Sequence, residues 1–392
     1  MHFSGIAIII VIPHHSWRQV WQGRESVRVN IKTFAAVLAL VVAATGSSNA
    51  QPNEFYKGKT ITFLINFTPG GPTDFEARLA ARHIVKYLPG APTIVPRNMP
   101  GGAGIVGLNW LGQAAPRDGT VVGFFTGAAS KTTLGDPGIK VDVTKLGFIA
   151  SGPGTSVAYI RKDVPPGINK PEDILKARDF WAGGLTPEAD KDVRIRMQLD
   201  MLGIPHKYIS GFRGSAEARL ALQRGEVHMT AESMPTYRAS IEPNIIKTGE
   251  GIALWYDPYD DGKEFSTPPE SQGIEAEHFP AFYRRVKGEY PSGELWEAFR
   301  VVNNVGTLFL RTIHLPQDSP PDAMAALKDG FLRMQEDSDF KAEAQKTMQY
   351  IPKYVTDKNT EDIFKRTMNP PPQIRTFLRD YIEKGQAANG RR

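Results

Sequence analysis

Residues 60–78, TITFLINFTPGGPTDFEAR, decide how the chain is read. Ile61, Phe63 and Ile65, with Leu64 and Phe67 also apolar, have the pattern of a short strand buried on both faces of a parallel sheet. The run breaks at Thr68-Pro69-Gly70-Gly71-Pro72, and a helical pattern opens at Thr73. Thr73-Asp74-Phe75-Glu76 has the spacing of a capping box, in which the Thr73 hydroxyl and the Glu76 carboxylate satisfy backbone N–H groups of the first turn. Ala77, Ala80, Ala81, Ile84 and Leu88 then mark one buried helix face, which Pro89-Gly90 ends. Gly70 and Gly71 let the backbone approach something closely, and the helix start behind them presents N–H donors and partial positive charge. Two readings stay open here: an anion-binding loop, or a tight strand-to-helix turn that serves packing.

At 392 residues the chain holds two domains or one large one, and 41% hydrophobic with 23% charged residues is ordinary globular material. It has no cysteine, so disulfides, thiolate nucleophiles and Cys-ligated metals are excluded. The formal charge of +5 is partly an N-terminal effect, because residues 1–50 contain Arg18, Arg24, Arg28 and Lys32 against Glu25 alone. Residues 51–392 keep 43 basic against 41 acidic residues, which makes no case for nucleic acid. Lys32, the apolar run 34–44 and Ser48-Asn49-Ala50 before Gln51 have the order of a secretion signal, cleaved after Ala50. Residues 1–28 do not look like its basic start, so translation is expected to begin near Val29, with 29–50 as the signal peptide and an exported, soluble mature chain.

Further along, a short strand 93–95 leads to Pro96-Arg97-Asn98-Met99-Pro100 and then Gly101-Gly102-Ala103-Gly104-Ile105-Val106-Gly107. Gly102, Gly104 and Gly107 make a GxGxxG, but a proline-containing loop separates it from the strand, against a dinucleotide fold, whose glycines follow the strand directly. The apolar run 121–125 ends in Thr126-Gly127-Ala128-Ala129-Ser130. Three strand ends, at Thr68, Asn98 and Thr126, thus lead into loops fit to approach a small polar ligand.

Phe67-Thr-Pro-Gly-Gly-Pro-Thr-Asp74, then Pro96-Arg-Asn-Met-Pro-Gly-Gly-Ala-Gly104, then Ala114-Ala-Pro-Arg-Asp-Gly119, in this order and at these spacings, resemble the periplasmic receptors of tripartite tricarboxylate transporters, the Bug or TctC-like family. The resemblance covers nearly all of 51–392. It implies an α/β, two-domain, periplasmic-binding-protein fold of the Venus-flytrap, type II-like kind, each domain a mainly parallel sheet flanked by helices. It also implies a small organic carboxylate in the interdomain cleft, delivered to integral-membrane permease subunits. The expected partition is 51–150 plus 252–392 as a discontinuous first domain and 151–251 as the second. The chain is expected to be a monomer without a cofactor.

Within that frame, the first domain is expected to hold the carboxylate with Thr68, Gly70, Gly71, Thr73 and Asp74, with Gly101, Gly102, Ala103 and Gly104, and with Thr126 and Ser130. The second is expected to close on it with Gly184, Thr186, Arg213, Gly214 and Ser215, the last as the N-cap of a helix over 216–224. Relatives carry Asp where this chain has Glu232, one methylene longer, at a strand end. Residues 148–160 are read as the first crossing between domains, 252–256 as the strand returning from the second, and 303–310 as another strand. The 257–300 segment departs from shorter family members. Its Asp257-Pro-Tyr-Asp-Asp-Gly262 lacks EF-hand spacing and reads as a solvated turn, and its aromatics read as packing.

No GxSxG, HExxH or P-loop lysine is present, and His206 and His228 stand alone, so ligand capture without chemistry is the expected function. The rival readings are a ligand sensor feeding a signalling partner, and a nucleotide-dependent enzyme using 102–107.

Overall fold

The computed structural model describes residues 54–70, 72–212, 215–348 and 350–389, so the expectations for 1–28 and 29–50, and for Gly71, Arg213 and Gly214, lie outside the described residues. The chain runs β1 (Thr60–Ile65), α1 (Pro72–Ile84), β2 (Thr93–Asn98), α2 (Ile105–Gln113), β3 (Val121–Thr126), α3 (Ala128–Thr133), β4 (Gly147–Gly152) and β5 (Ser156–Arg161). It continues through β6 (Trp181–Gly183), α4 (Asp190–Leu202), β7 (Lys207–Ile209), α5 (Ser215–Gln223), β8 (Met229–Ser233), a π-helix Tyr237–Ile246 and β9 (Gly251–Tyr256). The remainder is β10 (Tyr259–Asp260), β11 (Phe265–Ser266), β12 (Glu277–His278), α6 (Phe279–Lys287), α7 (Glu294–Thr307), β13 (Arg311–Leu315), α8 (Pro321–Met334), α9 (Ser338–Met348), α10 (Lys358–Met368) and α11 (Pro372–Asn389).

The first sheet has the order β2-β1-β3-β13-β4, in which β1 pairs parallel with β2 and β3 while β13 runs antiparallel to β3 and β4. As its residues require, β1 is buried on both faces. Ile61, Phe63 and Ile65 pack with Ala77, Ala80, Ile84 and Phe331, whereas Leu64 joins Leu108, Leu111 and Phe125. Helix α1 carries the expected apolar stripe, but it starts at Pro72, a residue preorganised for the first helical position. The capping box does not form. Thr73 Oγ1 lies 2.9 Å from Thr126 Oγ1, Glu76 accepts from Arg311 Nε at 3.0 Å, and Asp74 Oδ2 accepts the Gly70 N–H at 2.9 Å. Tertiary partners have claimed both box residues, and Asp74 does the local capping.

The second sheet has the order β12-β9-β5-β8-β6-β7. The first crossing falls where expected, with β4 in one sheet, β5 in the other and Pro153-Gly154-Thr155 between them. The return does not. β9, expected to lead back, pairs antiparallel with β5 from Val157↔Tyr256 to Arg161↔Gly251, and β13 makes the return. The strand expected over 303–310 is instead the end of α7, whose buried Trp296, Phe299, Val302, Asn303 and Gly306 recur at helical spacing. The two crossings touch: Gly154 N–H donates to Thr307 O at 2.7 Å.

The 257–300 segment is built into the second core. Trp255 is fully buried, with ring centroids 5.4 Å from Phe279 and 5.1 Å from Phe282, and Trp296 stacks on Phe299 at 5.4 Å. The acidic run at its start is no solvated turn. Asp260 is held by Arg300 at 2.8 and 3.0 Å, and buried Asp257 meets Arg194 at 3.2 Å and Gln198 at 2.8 Å. A buried carboxylate needs such partners, and they come from α4 and α7, too distant in sequence for spacing to reveal.

Arg194 in turn passes against Gly306, where an added Cβ would lie 2.0 Å from its Nη1. Gly306→Ala is therefore expected to lose about 1–3 kcal/mol of stability by overpacking, read as a lower urea midpoint at unchanged slope. A midpoint equal to that of the unaltered chain would show that the Arg194 network yields freely.

Candidate functional site

Three loops at the ends of β1, β2 and β3 are tied together by one side chain. Asn66, fully buried, donates from Nδ2 to Thr126 O at 2.9 Å and accepts the Thr126 N–H at 3.1 Å, and its Nδ2 lies 3.5 Å from Gly104 O. An added Cβ at Gly104, where φ is +96°, would lie 2.3 Å from Asn66 Nδ2, which explains the glycine without any nucleotide. Asn98 repeats the arrangement on the other side, donating to Phe67 O and to Asp74 Oδ1, both at 2.8 Å. Arg78 donates to the same Asp74 oxygen at 2.9 Å and to Asn98 Oδ1 at 2.8 Å. Burial opposes ionisation of Asp74, but donors from Arg78, Gly70 and Asn98 outweigh it and hold the carboxyl below its usual range. The expected Gly70, Thr73, Asp74, Gly104 and Thr126 thus meet in one edge, with Gly101 and Gly102 exposed beside them. The Gly70 N–H is committed to Asp74 within that edge.

The second sheet offers a comparable edge. Gly184 is buried because an added Cβ would lie 2.4 Å from the Asp192 carboxylate. Asp192 Oδ2 accepts from the N–H groups of Leu185 at 2.5 Å and Thr186 at 3.0 Å, and burial pushes its pKa up to about 6. Ser215 opens α5, and its Oγ accepts from Lys191 Nζ at 2.8 Å; the same ammonium lies 3.3 Å from Ala231 O. Glu232, the next residue, is buried at 2% exposure. Sequence reading passed over Lys191 because it stands in the first turn of a helix, where a lysine is usually only a solvated face.

Cavities run between the two edges. Ser130 of α3 faces Glu188 and Asp190 across a gap of about 10 Å³, room for about one water. A cavity of about 340 Å³ at the crossing is lined from the first half by Phe75, Glu76 and Arg311, from the crossing by Pro153 and Thr155, and from the second half by Ser233, Met234 and Thr236, with Glu270 and Tyr350. A recess of about 360 Å³ shares Pro235, Thr236 and Met348 with it and adds Ser215 and Arg219. Ser130 and Ser215 are the expected residues found on these walls. Arg311 sits opposite Thr126 and Gly152 in the strand ladders, and Gly152 has no side chain to block it, an added Cβ falling 2.9 Å from Arg311 Cβ. Arg311 was missed because the strand carrying it was placed too early in the sequence.

Among the described residues, no group of three His, Cys, Asp or Glu side chains is placed to hold a metal, and no helix is long and apolar enough to cross a membrane. His228 Nδ1 accepts the Trp181 N–H at 3.2 Å across the sheet, and His206 Nδ1 lies 3.0 Å from the local Ile204 O.

No family model matches the chain. It is 30% identical to protein BugT of Bordetella pertussis over 87 residues, 22% of this chain and 26% of that protein. It is 28% identical over 155 residues, 38% of this chain and 43% of the other, to a UPF0065 protein from the TAR-I ttuE-ttuC' intergenic region of Agrobacterium vitis. The matched segments thus span less than half the length of either curated relative. A crystal structure of a TctC solute-binding protein from Polaromonas superposes with a TM-score of 0.62 at 18% identity, over 84% of this chain and 99% of the other. The fold is that of the periplasmic binding proteins.

Two outcomes test this geometry. Glu76 and Arg311 are about one-tenth exposed, so Arg311→Met is expected to cost about 3–5 kcal/mol by stranding the carboxylate, and Glu76→Gln added to it to recover most of the loss, read from urea unfolding. Burial raises the folded pKa of Asp192 from the ordinary carboxylate range to about 6. The stability this contributes is full below about pH 4 and is lost as pH rises through about 6. Relative to Asp192→Asn, the unaltered chain should lose about 2 kcal/mol between pH 4 and pH 7; a flat difference would refute the assignment.

The resemblance to the Bug and TctC-like receptors, read first from three sequence signatures, is met both in the curated relatives and in the fold.

Proposed function

We propose that the chain is an exported receptor that captures a small organic carboxylate between its two halves and hands it to the integral-membrane permease of a tripartite tricarboxylate-type transporter. One observation carries this reading: the cavity of about 340 Å³ and its adjoining recess take walls from both sheets and from the crossing that joins them. A ligand seated there touches both halves at once, so binding favours the closed arrangement by the contacts that only closure supplies. Lys191, Ser215 and Arg219 give the second half donors for an anion, while Arg311 on the wall of the first half is engaged by Glu76. Bidentate guanidinium and ammonium donors suit a carboxylate, and the apolar Phe75, Met234, Leu310 and Met348 suit a hydrocarbon body. The names of one relative, protein BugT, and of the structural neighbour, a TctC solute-binding protein, support the receptor reading. Capture requires no catalytic group, and the carboxylates at the site, Asp74 and Asp192, are occupied by backbone and side-chain donors. Exchange with a permease is a matter of opening and closing about 153–155 and 308–310, the two strands of chain that cross.

A thermal-shift screen of the chain against mono-, di- and tricarboxylates, aromatic acids, amino acids and NAD tests it. An acid at about 100 times its dissociation constant should add about 2.7 kcal/mol and raise the midpoint visibly. Lys191→Met or Ser215→Asp should lose that shift. A shift with NAD alone, or with no acid, contradicts the proposal.

A further inference from the structure

The charge lining the cavity of about 340 Å³ at the crossing does not suit a plain di- or tricarboxylate. Its three charged side chains are Glu76, Arg311 and Glu270, and the one cation is already engaged by Glu76 at 3.0 Å. Glu270 stands outside that pair. Its carboxylate accepts the Tyr259 hydroxyl on Oε1 at 2.9 Å and is supported by its own backbone N–H. Exposed Lys353 is the cation whose charge favours its ionised form, and Arg238 donates to the Glu270 carbonyl oxygen at 3.3 Å rather than to the carboxylate. Burial pushes the Glu270 carboxyl above its usual range, the response of a carboxylate short of compensating charge. Tyr350, on the same wall, spends its hydroxyl on Pro153 O at 3.2 Å, and the negative charges of Glu76 and Glu270 both act on its phenol. Two carboxylates and one committed guanidinium therefore converge on a space whose other walls are Phe75, Pro153, Met234, Leu310 and Met348. Phe75, 57% exposed, adds an apolar aromatic face to this wall.

Resting on the receptor reading above, we infer that the cargo is bifunctional: an acid whose apolar body carries an ammonium group, with the ammonium seated on Glu270. The carboxylate end lies in the recess, where Ser215 and Arg219 are placed and Lys191 reaches Ser215. The hydrocarbon body spans the apolar walls. A second carboxylate at the Glu270 end would face an uncompensated like charge in a desolvated space, which costs several-fold to many-fold in affinity. Glu270 lies in the 257–300 segment, so this selectivity belongs to that segment and not to the glycine-rich loops.

Isothermal titration of the chain with three para-substituted benzoates isolates the effect, because they share ring and carboxylate and differ only at the far end. The probes are 4-(aminomethyl)benzoate, 4-methylbenzoate and terephthalate. The expected order of affinity is 4-(aminomethyl)benzoate at least tenfold tighter than 4-methylbenzoate, with terephthalate weakest. In Glu270→Gln the amine preference should fall below threefold. Tyr259→Phe, which keeps the charge and removes only its neighbour's hydroxyl, should retain the preference and so separates loss of charge from a disturbed fold. Terephthalate binding tighter than 4-(aminomethyl)benzoate, a preference that survives in Glu270→Gln, or binding of none of the three would overturn the inference. In each case a thermal shift with any other carboxylate leaves the receptor reading standing, whereas silence across the whole acid panel removes both.

Discussion

The ion pair between Glu76 and Arg311 is the contact on which the rest of the structure depends. Glu76 belongs to the first helix and Arg311 to the strand that brings the chain back from the second sheet, 235 residues later. Tyr354 OH adds a third partner at 3.3 Å, so helix, returning strand and C-terminal segment are pinned at one point. A buried pair of this kind contributes little net stability, since desolvation offsets most of the attraction, but it tolerates no other register. Its position on the cavity wall means that the same contact fixes the topology and shapes the site.

Around that point the molecule repeats one device on both sheets: a buried polar side chain, at a strand end or in the first turn of the helix that follows, satisfies the backbone of the adjoining loops. Asn66 and Asp74 do this for the first sheet, Asp192 for the second. The glycines beside them, Gly104 and Gly184, leave room for the buried groups they pack against. Rigid loop edges of this sort lower the ordering cost of binding, because their donors are held in place before a ligand arrives. Lys191, by contrast, is held by the neutral acceptors Ser215 Oγ and Ala231 O, and a carboxylate can replace both contacts.

Much of the first half was legible in the sequence because its signals are local. The strand at 60–65, the stripe of Ala77, Ala80 and Ile84 and the three loops at strand ends follow from spacing within about thirty residues. What failed was non-local. The capping-box residues were claimed by Thr126 and Arg311, and Asp257 and Asp260 were buried by arginines from α4 and α7. The apolar run at 303–310 carries helical and strand periodicity together, and only the packing of Trp296 and Phe299 chooses between them. The cavity walls come from 72–76, 152–155, 233–236, 270, 310–311 and 347–350. No spacing rule gathers segments so far apart, which is why the expected contacts fell on the loops and not on Glu270 or Arg311.

The central claim is that one ligand is held at once by both halves of the chain. A crystal structure grown with a saturating acid from the screen addresses it most directly. The account predicts density for one acid in the cavity between Arg311 and Ser215, in contact with residues of both sheets. Density confined to a single sheet's loops, or to the 101–107 glycines, would contradict it.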